Sequence, residues 1–338
     1  MPDNTSSSSS PSPEEIVVYH KDPATRIATI TLSRPERLNA PTIAARLRYA
    51  DLLHRANIDD EVKVLVVRGL GRDLGSGQDL PEFMAALGAE DDEPMLAEYR
   101  LTPDDDVRLP PADSFRGGAQ VGQWFAGIRG GCRSLQEFKK ISIVEVKGYC
   151  YGWHFYQAAD ADLVISADDA LFGHASFRYQ GWGPRMWTWV QTMGLRKFQE
   201  MVFTGRPFTA AEMDACNFLT KVVPRDQLEA ETEKYALACA RNRPTDTVFQ
   251  QKLFFELYKQ YQGENFGSML AGLFESLGRY TKPDANEMTL SKEVLARGLT
   301  NSVKDNDAQF PPEFRLSRSG RARRDWDNGA GQPTGQPS

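Results

Sequence analysis

The chain has 338 residues, 41% of them apolar and 10% aromatic, enough to bury a full core, which excludes disorder of the whole chain. A formal charge of −6 argues against a nucleic-acid partner, because polyanion-binding domains display a net basic face. The cysteines, Cys132, Cys150, Cys216 and Cys239, form no CxxC or Cys/His ligand spacing, so neither a disulfide framework nor a bound metal is implied.

In chain order, residues 1–14 are Ser/Pro-rich and acidic and are expected to be a disordered leader. They lack the basic and apolar regions of a secretory signal, and no apolar run reaches the length of a membrane span. A soluble, cytoplasmic protein with no membrane partner is expected. The segments 16–20 and 26–32 flank the turn-like Asp22-Pro23 and predict a hairpin-like pair of strands. Residues 39–57 predict a helix with Ile43, Leu47, Ala50 and Leu53 on one face. The β-branched run 62–67 predicts a strand buried on both faces, followed by a Gly-rich loop at 69–77. About 85–118 the chain is acidic and Pro-containing, an insertion rather than an ordinary connection.

A helical pattern follows from Gln120 to Lys140, then a strand at 142–146, a turn at Gly148, a helix from Trp153 and a strand at 163–166. That alternation predicts an α/β architecture with parallel βαβ units. Thr209 and Glu212 form a capping box, and 226–262 predicts two helices broken at Pro244. From about 315 the chain is Arg- and Gly-rich, and Arg315, Arg318, Arg321, Arg323 and Arg324 are expected in a solvated tail.

Two segments carry chemistry. Gly75-Ser76-Gly77-Gln78-Asp79-Leu80 directly follows a buried strand, and Gly148-Tyr149-Cys150-Tyr151-Gly152 follows another and opens a helix. In this order and with these flanks they resemble the two oxyanion-hole segments of the crotonase (enoyl-CoA hydratase/isomerase) superfamily. Three further stretches fall in register with that family: 34–40, then 162–165 with Phe172-Gly173, and 201–205 through Val223-Pro224. The resemblance covers about residues 16–260. It implies an α/β crotonase (ClpP-like) spiral of ββα units with a helical C-terminal region: a core at 15–225 carrying the 85–118 insertion, a helical trimerisation region at 226–314 and a flexible tail at 315–338. It also implies a homo-oligomer, a trimer or a dimer of trimers, and an acyl-CoA thioester as substrate with no separate cofactor.

An acyl thioester reacts at its α- or β-carbon when its carbonyl oxygen takes negative charge, and each preorganised N–H donor aimed at that oxygen stabilises it by about 3 kcal/mol. The resemblance implies that the donors are the backbone N–H groups of Gln78 and Trp153, with Ser76 and Asp79 beside them. Where the family usually has Gly, this chain has Trp153, whose indole must either swing away or wall the acyl pocket. The hydratase glutamates of the family map to Tyr156 and Ser176, and neither side chain is a carboxylate base. Both positions lie near a histidine, so His154, Tyr156 and His174 are candidate acid/base groups. Ser76, Asp79, Ser176, Tyr179 and Trp182 are candidate substrate contacts, and the aromatic density from Trp153 to Trp189 suits a bulky or ring-bearing acyl group.

Three readings stay open at this level. The first is an enoyl-CoA hydratase, isomerase or lyase. The second is a hydrolase that cleaves a carbon–carbon bond of a cyclic β-dicarbonyl with a histidine, and the third is a non-catalytic acyl-CoA-binding relative.

Overall fold

The β-branched runs of the N-terminal half become the layered sheet of an α/β fold. A computed structural model describes residues 11–87, 93–111, 113–179, 181–282, 284 and 299–323; residues 1–10 of the expected leader at 1–14 and residues 324–338 of the tail lie outside the described residues, whereas Pro13 and Glu14 of that leader are helical rather than disordered. A six-stranded sheet runs in the order β1 (Val17–Asp22), β2 (Ile27–Leu32), β3 (Val64–Gly69), β4 (Ile141–Val146), β6 (Leu163–Ala167), β9 (Lys221–Val223). Its β1–β2 pair is antiparallel and every later pair is parallel. Parallel strands need covered faces, and β3 is buried along almost its whole length.

A second sheet of three short strands, β5 (Tyr149–Tyr151), β7 (Leu171–Gly173) and β8 (Phe208–Thr209), stands beside the first. A backbone bridge between Gly75 and Cys150 ties the loop after β3 to β5.

The helices follow local signals. A short α1 (Pro13–Ile16) starts at a Ser12 capping box. Thr42 caps α2 (Ile43–Ile58) and Ser114 caps α5 (Phe115–Ala126), each accepting a backbone N–H three residues on. Between them α3 (Leu80–Leu87) and α4 (Glu93–Glu98) occupy part of the acidic insertion. This stretch is not merely solvated, because Glu98 is buried in an ion pair with Arg46 and accepts a hydrogen bond from Trp124 Nε1.

The helix expected from Gln120 to Lys140 stops at Ala126 instead. Gly127, Gly130 and Gly131 follow immediately and favour turns over helix, and residues 127–140 run as turns towards β4. Trp153–Asp160 forms α6, every residue of which is buried. After β7 come α7 (Ser176–Tyr179), α8 (Met186–Met193) and α9 (Leu195–Thr204).

The Thr209–Glu212 capping box starts α10 (Ala210–Ala215), and Pro244 separates α11 (Leu228–Arg241) from α12 (Thr245–Tyr261) as expected. Next, α13 (Glu264–Leu277) packs along α5 and against α8. Gly122 and Gly272 let α5 and α13 approach, since a methyl group on Gly272 would lie 2.7 Å from the Gly122 carbonyl oxygen. Among the described residues no helix is long and apolar enough to cross a membrane.

Candidate active site

The loop after β3 is fixed from both sides. Asn39 donates from Nδ2 to the carbonyl oxygens of Leu70 and Asp73 at 3.0 and 2.8 Å, and Asp73 Oδ1 accepts the Tyr149 N–H at 2.7 Å. Gly75 N–H donates to Tyr149 O, and Tyr151 N–H donates back to Gly75 O. The N–H groups of Ser76, Gly77 and Asp79 are taken by Leu38 O, His154 Nδ1 and Pro41 O at 3.0, 3.1 and 3.0 Å. Gln78 N–H, between them, donates to no group among the described residues.

Across from it, Gly152 opens α6 in a conformation that disfavours side chains, φ +54° and ψ −119°. Trp153 heads the helix, so its N–H has no intrahelical acceptor, and it donates to no other described group. Gly77, at φ +112°, faces this turn: a methyl group on its Cα would lie 3.8 Å from Gly152 Cα and 4.0 Å from Trp153 N. Two unpaired donors and the positive end of α6 therefore converge.

The Trp153 indole turns away from this cradle. Its Nε1 donates to Gly131 O at 3.1 Å and its ring meets Tyr49 edge-on at 4.9 Å, deep in the core. A large side chain is tolerated at the helix head because only its backbone faces the gap.

The two candidate histidines occupy different ground. His154 is 0% exposed and lies behind the Gly75–Gly77 loop, with its ring against Gly75 Cα and its Nδ1 holding the Gly77 N–H. Burial drives its pKa down to about 3, against a smaller opposing pull from the Asn39 and Tyr151 backbones. His174 follows β7 and is only partly buried, with Nδ1 on the Gly152 side, 3.7 Å from where a methyl group on Gly152 would lie. Its Nε2 shares a hydrogen bond of 2.9 Å with Tyr156 Oη. Phe177 and Trp189 wall the imidazole at 5.0 and 5.9 Å, and this desolvation lowers it to about 3, so it is neutral at pH 7. Tyr156 is raised well above its ordinary value, first by burial and then by the negative charge of Glu275, so its phenol stays protonated.

The remaining candidates are divided. Asp79 pairs with Arg34 at 2.7 Å and accepts the Glu82 N–H, which anchors the start of α3. Ser176 donates to Trp182 O at 3.1 Å and closes the α7 loop on itself. Tyr179 turns towards Asn306 at 3.4 Å, away from Tyr156. Trp182 stacks on Phe274 of α13 at 4.8 Å. The structure thus brings Gln78, Trp153, Tyr156 and His174 together, with Ser76 in the same loop.

Glu275 has no counterpart in the sequence expectations. It lies on the inward stripe of α13 with Glu264, Ser268 and Ala271, a spacing of 4, 3 and 4 residues that marks one helical face. Its Oε2 is buried without a hydrogen-bond partner among the described residues, and burial lifts the carboxyl to about 7. No cluster of three or more His, Cys, Asp or Glu residues that could hold a metal occurs among the described residues.

Known proteins share this arrangement of sheets and helices. The profile of the Enoyl-CoA hydratase/isomerase family matches residues 124–280. A mevalonyl-coenzyme A hydratase of Aspergillus fumigatus is 25% identical over 229 residues, 66% of this chain and 72% of that protein. A hydroxycinnamoyl-CoA hydratase-lyase of Pseudomonas fluorescens is 26% identical over 223 residues, 64% of this chain and 71% of that protein. The crystal structure of an enoyl-CoA hydratase from Mycobacterium smegmatis superimposes with a TM-score of 0.69 at 26% identity, covering 86% of this chain and 93% of the other. Its fold, its sequence profile over residues 124–280 and these relatives agree in likening the chain to the enoyl-CoA hydratase/isomerase, or crotonase, superfamily.

Proposed function

We propose that the protein is an acyl-CoA enzyme of hydratase, isomerase or lyase type in which the thioester oxygen is held between the N–H groups of Gln78 and Trp153. One observation carries this reading: the two unpaired donors meet across Gly77 and Gly152, where a carbonyl oxygen that gains charge would be stabilised by about 3 kcal/mol per donor. The neighbouring N–H groups are all spoken for, so the cradle is preorganised and needs no rearrangement as charge develops.

The pair formed by Tyr156 and His174 stands, on this reading, where hydratases of the family carry a glutamate, and Ser176 stands at the second such position. A protonated phenol and a neutral imidazole can donate to and accept from a substrate oxygen in a dry site, and they can orient a water. His154 acts through Gly77, as a positioning residue for the cradle. The apolar rings of Phe177 and Trp189 around the Tyr156–His174 pair suit a bulky or ring-bearing acyl group.

Self-association belongs to the same reading. Phe254, Leu257, Tyr261 and Phe266 on α12 and α13 are more than half exposed, more large apolar surface than a lone chain usually leaves in water. A trimer or a dimer of trimers would cover it, and light scattering on purified protein would reveal it.

The reading is tested by titrating the protein with crotonyl-CoA, cinnamoyl-CoA and a free cyclic β-diketone in turn. Hydration or isomerisation of a thioester supports it. Opening of the diketone without CoA, with heavy oxygen from water in the product carboxylate, would replace it with the carbon–carbon hydrolase. Tight thioester binding without turnover would leave a binding protein.

A further inference from the structure

The small sheet that leads into the cradle does not by itself fix the wall opposite. Pairing between β5 and β7 ends with the Gly152 N–H on Gly173 O at 3.0 Å, and His174 is the next residue. From there the chain leaves the sheet for α7, with Phe177 N–H on His174 O and Arg178 N–H on Ala175 O, each at 3.0 Å. The clearance is narrow. A methyl group on Gly152 would lie 3.3 Å from Gly77 Cα and 3.7 Å from His174 Nδ1. The imidazole and the cradle turn thus face each other across the width of one small group, and the way α7 is held bears directly on that width.

The C-terminal segment does the holding. Arg178 donates from Nη1 to Asp307 Oδ1 at 3.1 Å and from Nε to Gly205 O at 3.0 Å, and its guanidinium stands over the Phe310 ring at 3.9 Å. Asp307 lies in the last turn of the helix Leu299–Ala308. Its carboxylate takes three more donors: Leu316 N–H at 2.6 Å on Oδ1, and Ser317 N–H and Oγ–H at 3.1 and 2.6 Å on Oδ2. About four donors fill a carboxylate. Leu316 then reaches the other side, since its carbonyl oxygen accepts Tyr151 Oη–H at 2.8 Å and its side chain packs with Tyr149, Tyr151 and Leu171, with Ala175 against them. Tyr151 immediately precedes Gly152. One carboxylate is therefore bonded, through a single residue each way, to the strand that enters the cradle and to the helix that follows His174.

Stability alone does not call for a charge here. The Arg178 and Asp307 side chains are 3% and 5% exposed, and at such burial desolvation of the two ions offsets most of their attraction, so that an apolar pair is often as stable. What the ion pair adds is direction, because the guanidinium fork and the carboxylate bond in fixed orientations. The Tyr156–His174 bond of 2.9 Å registers that direction, since Tyr156 belongs to α6 on the cradle side and His174 to the opposite wall.

We propose that Asp307 is a positioning residue: by tying α7 and β5 to the same carboxylate, it holds the His174–Tyr156 pair in register with the Gln78–Trp153 cradle. The proposal rests on the thioester reading given above. No substrate bond is made or broken at Asp307, which acts through Arg178 and Leu316.

The experiment compares wild type with Asp307→Ala, Asp307→Asn and Arg178→Gln, all well below their melting temperatures. Two quantities are read: the tautomer of the His174 imidazole from its nitrogen NMR resonances, and kcat and KM for crotonyl-CoA and cinnamoyl-CoA. The bond made by one ring nitrogen sets where the proton sits, so the wild type is expected to show a single tautomer. In Asp307→Ala and Arg178→Gln the two tautomers are expected to average, with kcat lower by about 10- to 100-fold and KM within about threefold of wild type. Asp307→Asn keeps an acceptor oxygen for Leu316 and Arg178 and recovers part of both. A single His174 tautomer in either folded variant, or averaging already in the wild type, overturns the proposal and leaves the thioester reading to its own test. Loss of folding in both Asp307→Ala and Arg178→Gln also overturns it, because the residue is then structural only. If the wild type binds neither thioester, the thioester reading falls and the proposal with it.

Discussion

His154 and His174 are 20 residues apart and both neutral at pH 7, yet their surroundings predict opposite phenotypes. His154→Ala removes a buried ring packed on Gly75 and leaves the Gly77 N–H without an acceptor, so a stability loss of about 2–4 kcal/mol is expected, read from urea unfolding. An asparagine at 154, whose side-chain oxygen accepts the same N–H, recovers part of that loss if the histidine acts by positioning. His174→Ala removes a partly exposed ring bonded to Tyr156, and should lower turnover by about 100-fold with the melting temperature nearly unchanged. Equal melting temperatures for the two alanine variants would contradict this division. The sequence makes both histidines visible because each falls in a motif segment, but it cannot show which face of the Gly75–Gly77 loop a ring occupies. That depends on the bridge between Gly75 and Cys150, a pairing of residues 75 positions apart.

At the scale of elements, the C-terminal segment is where composition misleads. Its arginines and glycines read as a solvated tail, but 315–323 is docked on the small sheet. Arg315 is buried and donates to the carbonyl oxygens of Phe310 and Gly320, while Leu316 packs with Tyr149 and Tyr151. Arg318 grips both oxygens of Asp73 and lies over the Tyr149 ring at 3.9 Å. Guanidinium groups find long-range acceptors that no local pattern announces. Asp73 lies two residues before the Gly75–Gly77 loop and also holds the Tyr149 N–H, so the strap and that loop share one carboxylate. Arg318→Ala is therefore expected to cost about 1–2 kcal/mol of stability and to lower kcat more than it raises KM, since the donors lose alignment rather than number. A rise in KM alone, with kcat intact, would argue against that coupling. The strands and the capping boxes were legible because β-branched runs and Thr/Glu spacing act locally. The inward stripe of α13 was not, because its meaning comes from α5 and α8, which are distant from it in the chain.

The same buried groups set how the whole molecule responds to pH. His154 and His174 have native pKa values near 3 against about 6.5 in the unfolded chain, so between these values only the unfolded chain binds their protons. The stability tied to them is present above pH 6.5 and is lost as pH falls towards 3, by at most about 1.4 kcal/mol per pH unit for each ring. Glu275 works in the opposite sense. Its native value of about 7 exceeds the ordinary 4.5, so the folded protein holds this proton more tightly. Its contribution is full below pH 4.5 and is lost as pH rises through 7. A glutamine at 275 mimics the protonated carboxyl at every pH, and the stability difference between Glu275→Gln and wild type isolates this one group from all others that titrate. The gap should be smallest at pH 4.5 and widen in favour of the variant up to pH 8, by at most about 3 kcal/mol because the residue as a whole is only half-buried. Urea unfolding of both proteins at pH 4.5, 6, 7 and 8 measures it, and a gap that stays constant across this range would exclude a carboxyl that titrates near neutrality.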